Sequence, residues 1–400
     1  MKISIQFLCI VCVLLTGCVN RSQQLTRKND SSDSNKIYFL DFERYLRDAS
    51  ETFTINSIAK KISFIPLETS DKAMLTTENF KVVKINEHYY ISSSLSPAAS
   101  NIMMFDSTGC FTDYLIQAGR GPKELAYILG WSLNPNLQQF VVFGIGEVLL
   151  HSVVENITSK YGLTESLFMT QVLNDGNIVG IPSLYKEKTD TPYLKFLNHK
   201  GEIVKSLFYS AEHNVTYHVP ENTGSIGPLE NYGLYSNYFG NALFKDMFND
   251  TIFCIRSLNK IEPYIIMNRG SFAPKVKDAL DKAAKAKTIM IRGVLETGKY
   301  FFITYAYKDM MFCAVWDKET VALIDNTKAE NINEHQVIIS NRNSNGFTKY
   351  QTPNGKEILV AISSYADNKL YCFIDASDAM IFLPDIKEDD NPIVMVIEMN

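Results

Sequence analysis

The chain has 400 residues, and its 39 lysines and arginines against 44 aspartates and glutamates give a formal net charge of −5. Such mild acidity argues against a nucleic-acid partner, since binding nucleic acid calls for a clustered basic face. With 46% hydrophobic and 21% charged residues, the chain can bury a sizeable core. Its 21 tyrosines and 24 phenylalanines favour β-strands over helices.

The N-terminus has the pattern of an export signal. A short positive segment precedes an apolar run over residues 3–15, which is too short to cross a bilayer. The run ends in Leu15-Thr16-Gly17-Cys18, which resembles the bacterial lipoprotein box, in which the cysteine is acylated and becomes the first mature residue. The resemblance implies a signal peptide over residues 1–17 and a membrane anchor on Cys18. Val19 stands where an aspartate would suggest inner-membrane retention, so the implied location is the outer membrane of the cell envelope.

A polar segment follows the anchor. Residues 19–36 consist mainly of Asn, Arg, Ser, Gln and Asp, with few apolar side chains. Such a segment cannot bury enough apolar surface to fold by itself. We therefore predict that residues 18–36 comprise the lipidated cysteine and a flexible tether, and that the folded domain covers residues 37–400.

Beyond the tether, short apolar and aromatic segments follow one another in sets of four, with turn residues between them. The clearest sets cover residues 80–85, 88–92, 101–106 and 110–116, then 168–173, 177–181, 193–197 and 202–208, then 289–295, 300–305, 311–316 and 321–324. Four-stranded antiparallel units repeated along a chain indicate a β-propeller. The predicted fold class is therefore all-β.

One segment breaks this pattern. Residues 274–287 are rich in alanine and lysine, which favour a helix. Ser271 is placed to cap the helix, and Pro274 suits its first turn. The apolar stripe is short, so we predict one short surface helix inserted between two blades.

Three cysteines occupy similar places in different strand sets. Cys254, Cys313 and Cys372 each lie in an apolar strand-like segment, and the sequence contains no C-x-x-C. Similar positions in different repeats need not approach within the Cα separation of a disulfide. We therefore predict small buried thiols rather than disulfides or a zinc site.

Five short motifs stand in a fixed order behind the lipoprotein box. They are Ile62-Ser63-Phe64-Ile65-Pro66-Leu67-Glu68-Thr69, Phe105-Asp106-Ser107-Thr108-Gly109, Gly119-Arg120-Gly121-Pro122-Lys123-Glu124, Asn249-Asp250-Thr251-Ile252-Phe253 and Asp389-Asp390-Asn391-Pro392. Together they resemble the NHL-like, six-bladed β-propeller lipoproteins of the Bacteroidetes type, although Lys123 replaces the usual glycine. The resemblance implies six blades of four strands. That family has no settled activity, so the resemblance implies a fold and an address rather than a reaction.

The turn over residues 119–122 is the sharpest local motif. Arg120 offers a fork of donors that suits a carboxylate or a sulfate. The structural alternative is that the glycines allow a tight turn between blades, Pro122 stiffens it, and Arg120 pairs with an acid such as Glu124. No G-K-[ST] follows, so the turn is not a phosphate loop.

Metal and cofactor chemistry have little support in the sequence. The dense group of histidines and acids is Glu212, His213, His218 and Glu221, but His213 and His218 fall on opposite faces of any single strand. We predict no metal site and no cofactor. There is no G-x-S-x-G elbow, and Gly144-Ile145-Gly146 lacks the third glycine and the helix of a dinucleotide site.

We therefore predict a non-catalytic binding module. The loops around the centre of a propeller suit recognition of a glycan, a peptide or an envelope partner protein. Tyr232, Tyr235 and Tyr238 are candidates for stacking on sugars, with strand-flanking core positions as the alternative. Two other functions stay open: a lactonase- or lyase-like enzyme with a central metal, and a scaffold for another envelope protein.

The ends of the domain carry two strand-like runs, at residues 62–65 and 393–397. An open ring would leave unpaired strand edges, which closure removes. We predict that the two runs lie in one blade and close the ring.

Overall fold

Six β-sheets make up nearly all of the structure. The computed structural model describes residues 36–45, 53–75, 80–93, 101–164, 167–182, 194–207, 232–237, 239–246, 248–275, 284, 286–329 and 346–400. In these ranges each sheet is one blade of a six-bladed β-propeller, and the four main strands of each blade pair antiparallel in chain order. No helix in the same ranges is long and apolar enough to span a membrane.

Two strands precede the first blade, β1 (Tyr38–Asp41) and β2 (Ala59–Ile65). Blade 1 contains β3 (Lys81–Ile85), β4 (His88–Ser93), β5 (Asn101–Phe105), β6 (Phe111–Ala118) and β7 (Glu124–Leu125). Blade 2 contains β8 (Gly130–Asn134), β9 (Gln139–Phe143), β10 (Glu147–Ser152) and β11 (Ile157–Gly162). Blade 3 contains β12 (Leu167–Val172), β13 (Ile178–Pro182), β14 (Leu194–Leu197) and β15 (Ile203–Leu207).

The second half of the ring follows the same order. Blade 4 contains β16 (Tyr232–Ser236), β17 (Ala242–Asp246), β18 (Thr251–Ser257) and β19 (Lys260–Asn268). Blade 5 contains β20 (Met290–Glu296), β21 (Tyr300–Tyr307), β22 (Met310–Asp317) and β23 (Leu323–Lys328). Blade 6 contains β24 (Gly346–Gln351), β25 (Glu357–Ala366), β26 (Lys369–Ile374) and β27 (Ile393–Met399). Two helices of one turn are α1 (Phe42–Tyr45) and α2 (Ala376–Ala379).

The three strand sets predicted from the sequence are blades 1, 3 and 5, so the all-β propeller is confirmed. The prediction of four strands in every blade is incomplete, because three blades have a fifth strand. β7 pairs parallel with β6, β1 pairs parallel with β19, and β2 pairs antiparallel with β27. These additions are short or come from a distant part of the chain, so local periodicity does not reveal them.

The predicted closure of the ring is confirmed. Ile62 of β2 is paired with Ile397 of β27, and Ile65 is paired with Val394. Blade 6 therefore contains strands from both ends of the domain. The closing strand β27 lies between β26 and β2, and both of its edges are hydrogen-bonded.

The blades pack face to face through apolar side chains. The core between blades 4 and 5 includes the fully buried Phe301, Tyr305 and Trp316, against which Tyr38 and Phe42 of the N-terminal segment pack. Another core joins blades 5 and 6 around Phe302 and Phe347. Large aromatic side chains fill these wedge-shaped interfaces, which explains the aromatic richness of the sequence.

The three strand cysteines occupy matching places, as predicted. Cys254, Cys313 and Cys372 lie on β18, β22 and β26, the third strands of blades 4, 5 and 6, and all three are buried free thiols. Of the helix predicted over residues 274–287, Ala284 and Ala286 are helical, and most of the remainder lies outside the described residues. The signal peptide, Cys18 and the tether up to residue 35 also lie outside them.

Candidate functional site

Two of the sequence motifs meet through a single asparagine. Asn391 is almost fully buried, and its backbone N–H donates to Thr69 Oγ1 at 2.8 Å. Its Nδ2 donates to the carbonyl oxygens of Glu68 and Ala73 at 2.6 and 2.5 Å, and its Oδ1 accepts the N–H of Leu75 at 2.8 Å. All the polar atoms of the amide are therefore used to fasten the segment after β2 to the loop before β27.

A third motif holds the same segment from the side of blade 1. The N–H of Glu68 donates to the carbonyl oxygen of Gly109 at 2.8 Å, and its Oε2 accepts the N–H of Phe111 at 3.0 Å. Gly109 has a φ of +92°, and a Cβ there would stand 2.0 Å from the carbonyl oxygen of Pro66. Only glycine allows this approach. These three motifs therefore build the junction of blades 6 and 1.

The motif at residues 249–253 is also structural. Asp250 Oδ1 accepts the Nε–H of the fully buried Arg269 at 2.6 Å. The same guanidinium donates to the carbonyl oxygens of Ile289 and Asn249 at 3.1 and 3.2 Å. The motif therefore ties the end of blade 4 to the residue just before β20.

The turn that carries Arg120 is held rigidly by its own backbone and by Glu124. The N–H of Gly119 donates to the carbonyl oxygen of Leu125 at 2.8 Å, and the N–H of Gly121 donates to Glu124 Oε2 at 2.8 Å. A Cβ at Gly119 would stand 2.0 Å from that carboxylate oxygen. The carboxylate of Glu124 thus folds over the glycines and stabilises the turn, rather than forming the ion pair with Arg120 considered above.

Arg120 itself is exposed, and no carboxylate of the described residues lies within ion-pair distance of it. Three large apolar side chains nearby are also exposed, Tyr127 (46%), Leu129 (37%) and Ile145 (58%). The backbones that carry them are adjacent: a Cβ at Gly144 would stand 2.4 Å from the carbonyl oxygen of Tyr127, and the N–H of Leu129 donates to the carbonyl oxygen of Phe143 at 2.9 Å.

Lys123 is also exposed, so this part of the chain presents two cationic and three large apolar side chains to solvent. We call the patch of Arg120, Lys123, Tyr127, Leu129 and Ile145 the Arg120 surface. It lies on the connection from blade 1 to blade 2 and on the adjoining β9–β10 turn. Its apolar members carry no signal in the sequence, because exposure in a loop cannot be read from residue type.

The candidate tyrosines lie elsewhere. Tyr235 of β16 is partly buried, and its hydroxyl donates to the carbonyl oxygen of Arg292 at 3.1 Å across the boundary of blades 4 and 5. Its ring covers Gly233, and burial raises the pKa of its phenol. The side chain of Tyr232 and the whole of Tyr238 lie outside the described residues. The structure therefore does not bring Tyr235 together with Arg120.

A lysine that belongs to none of the sequence motifs lies at the same junction as Arg120. Lys81 Nζ donates to the carbonyl oxygen of Trp131 at 2.6 Å and lies 4.5 Å from the centre of the Trp131 ring. The indole N–H of Trp131 donates to Ser92 Oγ at 2.7 Å, which fixes the ring. Burial lowers the pKa of Lys81 to about 8. In the sequence, the only sign of this lysine's unusual position is that it begins an apolar segment, which forms an inner strand.

Other polar groups of the described chain are used within the core. Lys318 Nζ is 2.7 Å from Glu296 Oε1, which also accepts the hydroxyl of Tyr264, and this buried group lies between blades 4 and 5. Among the described residues, no three His, Cys, Asp or Glu side chains are grouped to hold a metal ion. The group of Glu212, His213, His218 and Glu221 lies outside them.

The comparisons with known proteins agree with this architecture. The family described as a domain of unknown function, DUF4934, matches residues 38–398. The chain belongs to the DUF4934 family. No protein of curated function matches this DUF4934 chain significantly.

Two solved structures similar to this DUF4934 protein come from Bacteroides species. A Bacteroides fragilis protein described as exported is 18% identical, with a TM-score of 0.64 over 91% of this chain and 100% of its own. A member of the DUF4221 family from Bacteroides vulgatus is 14% identical, with a TM-score of 0.49 over 86% of this chain and 97% of its own. At such identities, the likeness to the Bacteroides fragilis protein extends to the fold alone.

Proposed function

We propose that this DUF4934 protein is an outer-membrane lipoprotein whose propeller binds an acidic glycan at the Arg120 surface, without catalysis. The observation that carries the proposal is the exposed guanidinium of Arg120 on a turn fixed by Glu124. A guanidinium binds planar carboxylates and sulfates through two parallel hydrogen bonds. Because the turn is already rigid, little ordering of the protein is needed when the ligand binds.

The apolar part of the surface supports a sugar rather than a simple anion. Tyr127 presents an exposed aromatic ring beside the cationic turn, and Leu129 and Ile145 extend the apolar area. A tyrosine side chain offers an apolar ring face and a polar hydroxyl, and a sugar can contact both. Exposed apolar residues gathered in one place commonly mark an interaction site.

The location is supported by the N-terminal sequence. Cys18 ends the lipoprotein box, and residues 19–36 would link the acylated cysteine to the propeller. The similar protein of Bacteroides fragilis is described as exported. Replacing Cys18 with alanine should leave unlipidated precursor and move the protein out of the membrane fraction. Unchanged partition of this variant would contradict the lipid anchor.

Binding can be tested with purified protein and sets of acidic, neutral and amino sugars. Arg120→Gln should weaken binding of carboxylated or sulfated glycans by about 10- to 100-fold, since a hydrogen bond to a charged group contributes about 1.5–3 kcal/mol. Arg256→Gln is the matched control, because Arg256 lies on β18 in another blade and pairs with Glu262. Equal affinities of the wild-type protein and Arg120→Gln for the acidic glycans would overturn the proposal.

The other candidate functions predict different results. Binding of acidic peptides, but not glycans, through Arg120 would assign the same surface to a peptide ligand. Calcium or zinc retained at one ion per purified chain would favour a metal-dependent enzyme. Capture of one envelope protein from solubilised membranes, with no binding of small ligands, would favour a scaffold.

A further inference from the structure

One short segment of chain carries Arg120 at its start and contacts Lys81 at its end. The segment begins at the Arg120 turn, passes Tyr127 and Leu129, and ends on β8 at Trp131, whose carbonyl oxygen accepts the Lys81 Nζ–H. Both cationic groups therefore lie at the junction of blades 1 and 2. The ring of Trp131, beneath the Lys81 ammonium, adds an aromatic face to the same junction.

The ammonium of Lys81 has no counter-ion among the residues the structure describes. β8 holds no charged residue, and His88 of β4 is paired with Ile85 at the far end of β3. β25 meets β3 through Ser363 and Ser364 at Val82, while its Glu357 is paired with Gln351 at the far end of β24. Lys84, on the same strand, lies over Tyr89.

An ammonium in this position is only partly satisfied. It has three donors, and the described contacts supply one carbonyl oxygen and one aromatic face. Removing an unpaired charge from water is costly, and a bound anion would offset that cost. Lys81 as a whole residue is only partly buried, and as the first residue of β3 it stands at the end of that strand rather than within it.

We propose that Lys81 is a second anion-binding group, which takes one acidic group of an oligosaccharide while Arg120 takes another. The proposal rests on the proposed function and names its ligand class, an acidic oligosaccharide rather than a single acidic sugar. Arg120 lies on the turn after β6 and Lys81 at the first residue of β3, so a ligand that contacts both cations must carry more than one acidic group.

The two cations predict different dependence on pH. A guanidinium stays charged at all accessible pH values, whereas Lys81, with its pKa lowered to about 8 by burial, loses its proton in the alkaline range. The anion binds the protonated amine, so affinity should be constant below the pKa and fall above it. The fall should begin near pH 8 and level off once the contribution of Lys81 is lost, at about the affinity of a variant without the charge.

The experiment measures binding of short oligogalacturonates by calorimetry between pH 6 and about pH 9. Lys81→Met should weaken binding of the oligomer about tenfold or more at pH 7 and abolish the alkaline fall. Lys81→Arg should retain the affinity at pH 7 and also lose the alkaline fall, which a merely structural role would not produce. Lys84→Met, on the same strand, is the matched control and should behave as the wild type.

A second readout separates this proposal from the proposed function. Acetylation of Lys81 by acetic anhydride, followed by mass spectrometry, should be slowed by the oligogalacturonate and also by inorganic sulfate. If the oligomer binds through Arg120 but Lys81→Met and alkaline pH change nothing, the second site is wrong and the proposed function stands. If no glycan binds but sulfate slows the acetylation of Lys81, the anion site at Lys81 stands without the proposed function. If neither the oligogalacturonate nor sulfate slows the acetylation, the anion site at Lys81 is wrong.

Discussion

A single buried side chain, Asn391, joins parts of the chain that are far apart in sequence. Its Oδ1 accepts the N–H of Leu75, which lies 316 residues away. Its Nδ2 donates hydrogen bonds to the carbonyl oxygens of Glu68 and Ala73. A buried backbone group without a partner costs more than a hydrogen bond gains, so this side chain stabilises the burial of the backbone at Ala73 and Leu75.

We expect Asn391→Ala to lower the free energy of unfolding by about 3 kcal/mol or more. The substitution leaves two buried backbone groups, the carbonyl oxygen of Ala73 and the N–H of Leu75, without partners at about 1–3 kcal/mol each, and also frees the partly buried carbonyl oxygen of Glu68. Chemical denaturation monitored by circular dichroism measures the change. Asp389→Ala is the control, because Asp389 belongs to the same motif but is exposed, and it should shift stability by no more than about 0.5 kcal/mol. Equal stability of the two variants would remove the proposed role of Asn391.

At the residue scale, the sequence predicted which residues are important better than it predicted the contacts that those residues make. Arg120 and Asn391 stand in recognisable motifs, but the partners of Asn391 lie at the other end of the domain and cannot be inferred from spacing. The carboxylate of Glu124 was a candidate partner of Arg120 and instead accepts the N–H of Gly121. Lys81 was not recognised, because its unusual environment is created by Trp131 of the next blade.

The N-terminal strand β1 shows how one element joins two blades. It pairs parallel with β19 of blade 4, and its alternate side chains face opposite ways. Tyr38 and Leu40 are 1% exposed and belong to the core between blades 4 and 5, whereas Phe39 between them is 62% exposed. The side-chain period of two thus directs one face of this short strand into the core.

We expect Leu40→Ala to destabilise the propeller by about 2–5 kcal/mol, the usual range for truncating a buried leucine. Phe39→Ala removes a larger side chain from the neighbouring position of the same strand and should cost no more than about 0.5 kcal/mol. Thermal and chemical denaturation of both variants measure the difference. A larger effect of Phe39→Ala would show that the exposed face of β1 is covered in solution.

At the element scale, strands within hairpins could be predicted and added strands could not. The sets in blades 1, 3 and 5 have strong alternation and clear turns, so their strands lie close to the predicted residues. β23 is an exception and runs to Lys328, beyond the predicted end at residue 324. β7 has two residues and β1 has four, too few to show a period, and their parallel pairing depends on contacts outside the segment.

For the whole molecule, closure of the ring was predictable because it follows from a general requirement. Unpaired strand edges must be covered, and the apolar runs at residues 62–65 and 393–397 were the two available ends. The structure pairs them in blade 6. Ligand chemistry does not follow from such a requirement, because the Arg120 surface arises from loops whose exposure depends on how blades 1 and 2 pack.

Removal of residues 391–400 should therefore unfold the whole propeller rather than fray one end. The strand β27 lies between β26 and β2, so its loss leaves unpaired edges on both neighbours and separates β2 from the rest of blade 6. Ile393, Val394, Met395 and Ile397 are all fully buried, and each contributes about 1.5–3 kcal/mol, against a total stability of about 5–15 kcal/mol. Circular dichroism and thermal melting of the truncated chain measure the effect, and removal of the exposed Asn400 alone is the control. A truncated protein with a full β-sheet spectrum and the wild-type melting temperature would show that closure does not depend on β27.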